Sequence, residues 1–307
     1  EGFGNFYPQF SPEGSKLAYV SNKGNDYFSP GTVYIYDFQT KEKKTVVGNV
    51  RSTLSFSPDG RILYYAKSSR ENPHWSRFYD LYRYDIAEEE ETRLTHGWRA
   101  QNPKISPDGS RIVFAFGHDG TMNIGVADAD GKNFRKVTKF EDGEQVYTPC
   151  FSLDSKTIVF GYSKGHNQSL AEIQEDGSGY RTIAKEGDCR NPVFSADGKA
   201  LYYTSDRTGI FNIYGREVDS GKETQVTNVL GGAFVPAISV KNELAYATYT
   251  SSGYKIAVLR NPAASQVPQG QIAARELPLA HLSVAGESQG IVSEQHESTT
   301  EPDSARP

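Results

Sequence analysis

Phe56-Ser57-Pro58-Asp59-Gly60 decides the fold, because the chain repeats it. It occurs upstream as Phe10-Ser11-Pro12-Glu13-Gly14. It returns as Ile105-Ser106-Pro107-Asp108-Gly109, Phe151-Ser152-Leu153-Asp154-Ser155 and Phe194-Ser195-Ala196-Asp197-Gly198, with a decayed copy at Ile238-Ser239-Val240-Lys241-Asn242. Successive serines lie 46, 49, 46, 43 and 44 residues apart, the period of a four-stranded propeller blade. Pro presets φ for a turn, Asp can accept from the backbone two residues on, and Gly takes positive φ. The phrase is therefore a turn between two strands.

What surrounds each copy agrees. An apolar run follows, such as Leu17-Ala18-Tyr19-Val20, Ile62-Leu63-Tyr64-Tyr65 or Leu201-Tyr202-Tyr203. Then comes a polar, Gly-bearing loop and a further run, such as Val33-Tyr34-Ile35-Tyr36 or Asn212-Ile213-Tyr214. A short run closing on Thr ends the unit, as in Thr92-Arg93-Leu94-Thr95, Arg135-Lys136-Val137-Thr138 and Thr224-Gln225-Val226-Thr227. Short β-branched and aromatic runs between turn residues are strands, here called A to D in each unit. Asp128-Ala129-Asp130-Gly131 is read as a C–D turn; the distal Glu of a calcium loop is missing. The expected fold is all-β: a six-bladed propeller of four-stranded antiparallel blades over residues 1–260, marked by Ser11, Ser57, Ser106, Ser152, Ser195 and Ser239. The sixth unit shows no clear D strand. Residues 261–285, where Arg275-Glu276-Leu277 resembles the other D strands, supply a closing strand and linker, or chain upstream of Glu1 does. Residues 286–307, without aromatics and rich in Glu, Ser and Gln, are expected to be disordered.

The repeated Pro-x-Phe-Ser-Pro-Asp-Gly, the apolar run and the Ile-Tyr strand resemble the repeat of TolB-type β-propellers, over roughly Phe6 to Leu259. That family implies an extracytoplasmic, periplasmic propeller that binds other proteins, as part of a larger envelope or Tol-like assembly. Related propellers precede the catalytic domain of prolyl-oligopeptidase-type enzymes, and others cleave acidic oligosaccharides with a metal. Fold alone does not choose among these.

Composition narrows the choice. Of 307 residues, 12% are aromatic, 19 of them Tyr and 16 Phe, which favours strands. A net charge of -5 gives no basic footprint for nucleic acid. No apolar stretch approaches the roughly 18 residues of a membrane span. The chain starts at Glu1 and its one Met is Met122, so a removed leader or further upstream chain is expected. Cys150 and Cys189 match neither zinc nor redox spacing, and are expected as free buried thiols. No cofactor or metal is implied, and the propeller is expected to be monomeric.

Candidate residues come from loop lengths. The B–C loops of the first two units are the longest and carry Tyr27 and Phe28, then Arg70, His74, Trp75, Arg77, Phe78 and Tyr79. The following D–A loop adds Trp98 and Arg99. Trp, Tyr and Arg dominate interface energies, so these ten residues form the candidate partner-binding face. The competing reading folds the aromatics back as a small loop core. A second set, Arg51, Arg99, Arg190, Arg207, His118 and His166, falls just before strands A or in B–C loops. Gathered at a channel mouth, these would attract a small anion or an acidic sugar; ordinary surface placement is the bland reading. Glu88 to Glu91 is read as a solvated hairpin tip. Gly286-Glu287-Ser288-Gln289-Gly290 fits a nucleophile elbow by letters, but only 17 residues follow it, too few for the α/β sheet it needs. No catalytic residue is assigned.

Overall fold

Each Ser-Pro-Asp-Gly phrase makes the turn its chemistry dictates. In the computed structural model, which describes residues 3–24, 30–69, 78–260 and 262, the last residue of the turn donates to the carbonyl of the marker serine at all six copies: Gly14 to Ser11, Gly60 to Ser57, Gly109 to Ser106, Ser155 to Ser152, Gly198 to Ser195 and Asn242 to Ser239, at 2.9–3.0 Å. All six donors have φ between 59° and 76°, where glycine is unstrained and Ser155 and Asn242 are not. The serine hydroxyl has two further roles. It donates to the turn aspartate at Asp59, Asp108, Asp154 and Asp197 (2.5–2.6 Å). It also accepts the first N–H of the next strand, from Ile62, Arg111, Thr157 and Ala200 (2.9–3.0 Å). Serine at this place thus joins the turn to the strand it launches.

The serine hydrogen bonds hold the four carboxyls below the usual carboxylate range, Asp108 at about 2 against an ordinary 3.8. A folded-state pKa below the unfolded one stabilises the fold above the unfolded pKa and stops doing so as pH falls through the folded value. The carboxyls are solvent-facing, so each share is small. Stability is expected to decline between about pH 4 and pH 2, and Asp108→Asn to flatten part of that decline. An acid titration of the unfolding midpoint that is identical for wild type and variant would contradict this.

Twenty-three strands form, and no helix, among the described residues. β1 (Asn5–Phe10), β2 (Lys16–Ser21), β3 (Gly31–Asp37) and β4 (Lys43–Val50) make an antiparallel meander. β5 (Ser55–Phe56), β6 (Ile62–Ser69), β7 (Phe78–Asp85) and β8 (Glu90–Arg93) make the next, tied to the first by one pairing of Val50 with Lys67. Three separate four-stranded sheets follow. They are β9 (Gln101–Ile105), β10 (Arg111–His118), β11 (Thr121–Asp128) and β12 (Arg135–Lys136); β13 (Gln145–Phe151), β14 (Thr157–Ser163), β15 (Ser169–Gln174) and β16 (Arg181–Ala184); and β17 (Arg190–Phe194), β18 (Ala200–Ser205), β19 (Asn212–Glu217) and β20 (Glu223–Gln225). β21 (Ala233–Ile238), β22 (Leu244–Thr250) and β23 (Gly253–Leu259) form a three-stranded sheet.

The first strands of successive groups touch in a closed circle: β1, β5, β9, β13, β17, β21 and back to β1. Tyr254 N donates to Phe3 O at 2.7 Å across the junction of last and first groups. The architecture is an all-β propeller. Its core lies between neighbouring sheets: one cluster joins Val113, Ala115 and Ile124 to Ile158, Phe160 and Ala171, another joins Tyr64, Ala66 and Leu81 to Ile105, Ile112 and Phe114. Alternation within each strand turns both faces of most sheets inward. The glutamate run is exposed at the β7–β8 hairpin, and its last member, Glu91, also accepts from the Tyr65 hydroxyl and pairs with Lys67. Both cysteines are free and buried, and burial pushes their thiols up to about 12 at Cys150 and about 11 at Cys189. The regions expected as closing strand (261–285, apart from 262) and disordered tail (286–307) lie outside the described residues.

Candidate functional site

The D–A and B–C connections emerge together at one end of the barrel of sheets, because consecutive strands are antiparallel. A recurring lock shapes the D–A connections. Asp80, Asn123 and Asn212, near or at the start of strand C, each accept from the closing threonine of strand D: Thr95 and Thr138 at 2.8 Å, Thr227 at 3.0 Å. That threonine accepts in turn from Leu81, Ile124 and Ile213 N at 2.9 Å. The same carboxylate or amide oxygens then capture the backbone of the outgoing loop: Trp98 N at 3.2 Å, Phe140 N at 2.8 Å and Val229 N at 3.1 Å.

This lock places two of the expected partner-binding residues. Trp98 is half-buried with its ring against Phe134 (4.6 Å) and Phe114 (6.2 Å), so most of its indole serves the aromatic cluster over the third sheet. Arg99 is exposed, with φ +53°, and its guanidinium lies 4.8 Å from the Phe78 ring. Phe78 and Tyr79 open β7 and are half-buried. Tyr27, Phe28, Arg70, His74, Trp75 and Arg77 lie outside the described residues, as does the side chain of His118.

The expected channel-mouth set separates. Arg51 and Arg99 are exposed and carry no ion pair among the described residues. Arg190 is committed to Asp188 and to the Phe211 ring at 5.1 Å. Arg207 is held between Tyr214 (4.0 Å) and Tyr203 (5.6 Å), paired with Glu223 at 2.6 Å, and its side chain is 14% exposed. These partners anchor it inside the fifth sheet. His166 is exposed in the loop 164–168. Among the described residues, no three His, Cys, Asp or Glu side chains group to hold a metal.

An aromatic belt at the same end went unpredicted. Phe6, Phe211, Phe234, Tyr249 and Tyr254 link ring to ring at 4.6–6.1 Å. They straddle the last two groups and the first. A cleft of about 540 Å³ lies beside them, lined also by Asp206, Ile210 and Leu230. Leu230 is 75% and Tyr249 47% exposed. Gly209-Ile210-Phe211 and Leu230-Gly231-Gly232 carried this signal in the sequence, as apolar residues inside glycine-bearing loops.

Inside the ring, the first strands line a narrow channel with three tiers. The residues two before each marker serine are Gln9, Ser55, Lys104, Cys150, Val193 and Ala237. Above them sit Pro8, Leu54, Pro103, Pro149, Pro192 and Pro236, then Tyr7, Thr53, Asn102, Thr148, Asn191 and Val235. In this last tier the five residues preceding proline all have positive φ, 43–54°. The pairing with the second strand shifts there. These are β-bulges, repeated around the ring. Burial raises the Tyr7 hydroxyl, with nearby Arg51 opposing.

A profile of the TolB β-propeller domain matches residues 4–191. The chain belongs to that family. As a TolB-type propeller it is 18% identical to TolB from Acinetobacter baumannii, with a TM-score of 0.66 over 83% of this chain and 63% of that one. It is also similar to an oligogalacturonate lyase in complex with manganese, at 17% identity and TM-score 0.60, covering 86% of this chain and 79% of that one. Both likenesses concern the fold. An uncharacterized protein of Agrobacterium fabrum is 30% identical over 136 residues, 44% of this chain and 43% of the relative. The chain thus spans less than half of that relative's length. The family profile, over residues 4–191, covers the first strands from β1 to β13 and the loops bearing Arg51 and Arg99.

Proposed function

We propose that this chain is a non-catalytic protein-interaction propeller of the bacterial cell envelope, working in the periplasm within a larger, Tol-like assembly, and that its six strand groups are six blades of a monomeric ring. The partner, a protein, is held at the end where the D–A and B–C loops gather. One observation carries this reading: that end offers exposed apolar side chains, Leu230 and Tyr249, together with two exposed arginines, Arg51 and Arg99. Exposed apolar side chains and exposed arginines at one end are the makings of a protein interface. Membership of the TolB β-propeller family supports it.

Four substitutions test the reading without touching the core. Leu230→Ser with Tyr249→Ser, and separately Arg51→Glu with Arg99→Glu, are expected to leave circular dichroism unchanged. Each pair is expected to weaken retention of a specific envelope protein by roughly thirtyfold, the loss typical of hot-spot truncation. Recovery of the same proteins in the same amounts by wild type and both variants would refute the loop-end assignment.

A further inference from the structure

The middle of the channel holds a cation without an anion. Lys104 projects from β9 and its Nζ donates to Gln9 Oε1 of β1 at 2.8 Å, bridging two strands that are not neighbours in the ring. A cavity of about 40 Å³ opens beside it, lined by residues of five first strands and by Thr53 and Leu54 just ahead of β5, none of them Asp or Glu. The Gln9 amide is neutral, and one of its two N–H groups donates to Phe10 O at 3.1 Å. Gln9 Oε1 is the acceptor that Lys104 meets, and no carboxylate lines the cavity with it. A second donor points the same way: the Thr148 hydroxyl is buried, lines the same cavity and has no partner. Burial of an ammonium without a counter-charge is costly, and so is burial of a lone hydroxyl. Desolvation already holds the Lys104 amine below the ordinary lysine range. Cys150, which lines the same cavity, is kept as a neutral thiol by burial, and burial likewise raises the Tyr7 hydroxyl, so neither serves as the counter-ion.

We propose that the channel is an anion site, in which Lys104 and Thr148 hold one small monovalent anion, either a halide ion or a single carboxylate group. The size of the cavity sets the class. It has room for a few water-sized bodies, enough for a halide or a carboxylate head and too little for a sugar ring or a phosphorylated metabolite. The five bulges bring the first strands to their positive-φ residues just above Lys104, so the tier that carries Thr148 is held by backbone geometry and not by a mobile loop. The site is independent of the partner-binding reading, because it uses no residue of the loop end.

The test uses the full chain. Unfolding midpoints are measured in sodium chloride, bromide or formate against sodium methanesulfonate at the same ionic strength, for wild type and for Lys104→Met, which keeps the length of the side chain. Crystals soaked in bromide locate the ion. The wild type is expected to gain about 2–4 °C in the small anions, as a ligand bound well above its dissociation constant gives, and the variant is expected to show no such gain. A bromide anomalous peak at ion-pair distance from Nζ confirms the site even should Lys104→Met fail to fold. Stabilisation by halides alone assigns a free inorganic ion. Stabilisation by formate alone assigns a carboxylate, such as a chain terminus or acidic side chain entering from the mouth. Equal midpoints in all salts for wild type, with no bromide at Lys104, would overturn the proposal and leave a neutral amine bonded to Gln9.

Discussion

Asp80→Ala is expected to remove about 3–5 kcal/mol of folding stability, the loss seen when a buried ion pair keeps one charge and loses the other. Asp80 has no exposed surface. One oxygen accepts from the Thr95 hydroxyl at 2.8 Å and Trp98 N at 3.2 Å, the other from Arg93 Nη2 at 2.8 Å and Gly97 N at 3.0 Å. The Arg93 side chain is only 11% exposed. Its Nε donates to Thr95 O at 2.7 Å. Alanine would leave a guanidinium in the interior beside several unpaired donors. At the equivalent places of two other groups the residue is Asn123 or Asn212, neutral, and alanine there should cost only about 1–3 kcal/mol. Asp80→Asn, which keeps the acceptor oxygen but not the charge, should fall between. Urea unfolding with an unchanged slope gives the three values. If Asp80→Ala proved no worse than Asn123→Ala, the pair with Arg93 would carry no special weight.

The lock around Asp80 also shows what the sequence could reveal. The closing threonines Thr95, Thr138 and Thr227 stood out as unit ends, because they recur in local runs. Their partners did not. They lie 15 residues upstream and alternate between Asp and Asn, so no single letter repeats. The turn phrase was legible for the opposite reason: its serine, aspartate and glycine act on backbone within five residues, and local chemistry leaves a local pattern. The first strands gave a third outcome. A residue before proline is expected to be extended. Here Tyr7, Asn102, Thr148, Asn191 and Val235 are left-handed, and Thr148 and Val235, being β-branched, are the most strained of them. Only the circle of neighbouring strands imposes that geometry.

The candidate site was legible in part. The D–A and B–C loops were correctly read as the connections between strands, and Arg51 and Arg99 stand exposed among them. Arg190, just before a strand A, and Arg207, in a B–C loop, were read as members of one channel-mouth set, yet their fates are set by Asp188, Glu223 and the rings of Phe211 and Tyr214. Glu223 and Tyr214 reach Arg207 from other strands of the same sheet, a distance that register counting does not see. The belt of Phe6, Phe211, Phe234, Tyr249 and Tyr254 was missed for a similar reason. Its members belong to three groups, and the first of them meets the others only because the ring closes.

Closure gives the second large effect. Phe160, in β14, has no exposed surface and belongs to the cluster that joins the third sheet to the fourth. Phe160→Ala is expected to cost about 3–5 kcal/mol, from lost transfer energy and from the cavity left between two sheets that cannot close over it. Phe160→Leu should recover more than half, since most of the volume returns. The form of the transition tells more than its midpoint. In an open array of repeats, each unit depends on its neighbours alone, and a weakened interface can part before the rest. In a ring, every sheet has two neighbours, and Phe3 and Tyr254 seal the last to the first. The third and fourth sheets are then held in place through the remaining groups even when their shared core is poor. Phe160→Ala should therefore unfold in one transition, with the circular dichroism of the strands and the fluorescence of Trp98, which packs on the third sheet, coinciding. Separate transitions for the two signals would mean that the ring opens at this interface, and that the junction of the last group with the first does not hold it.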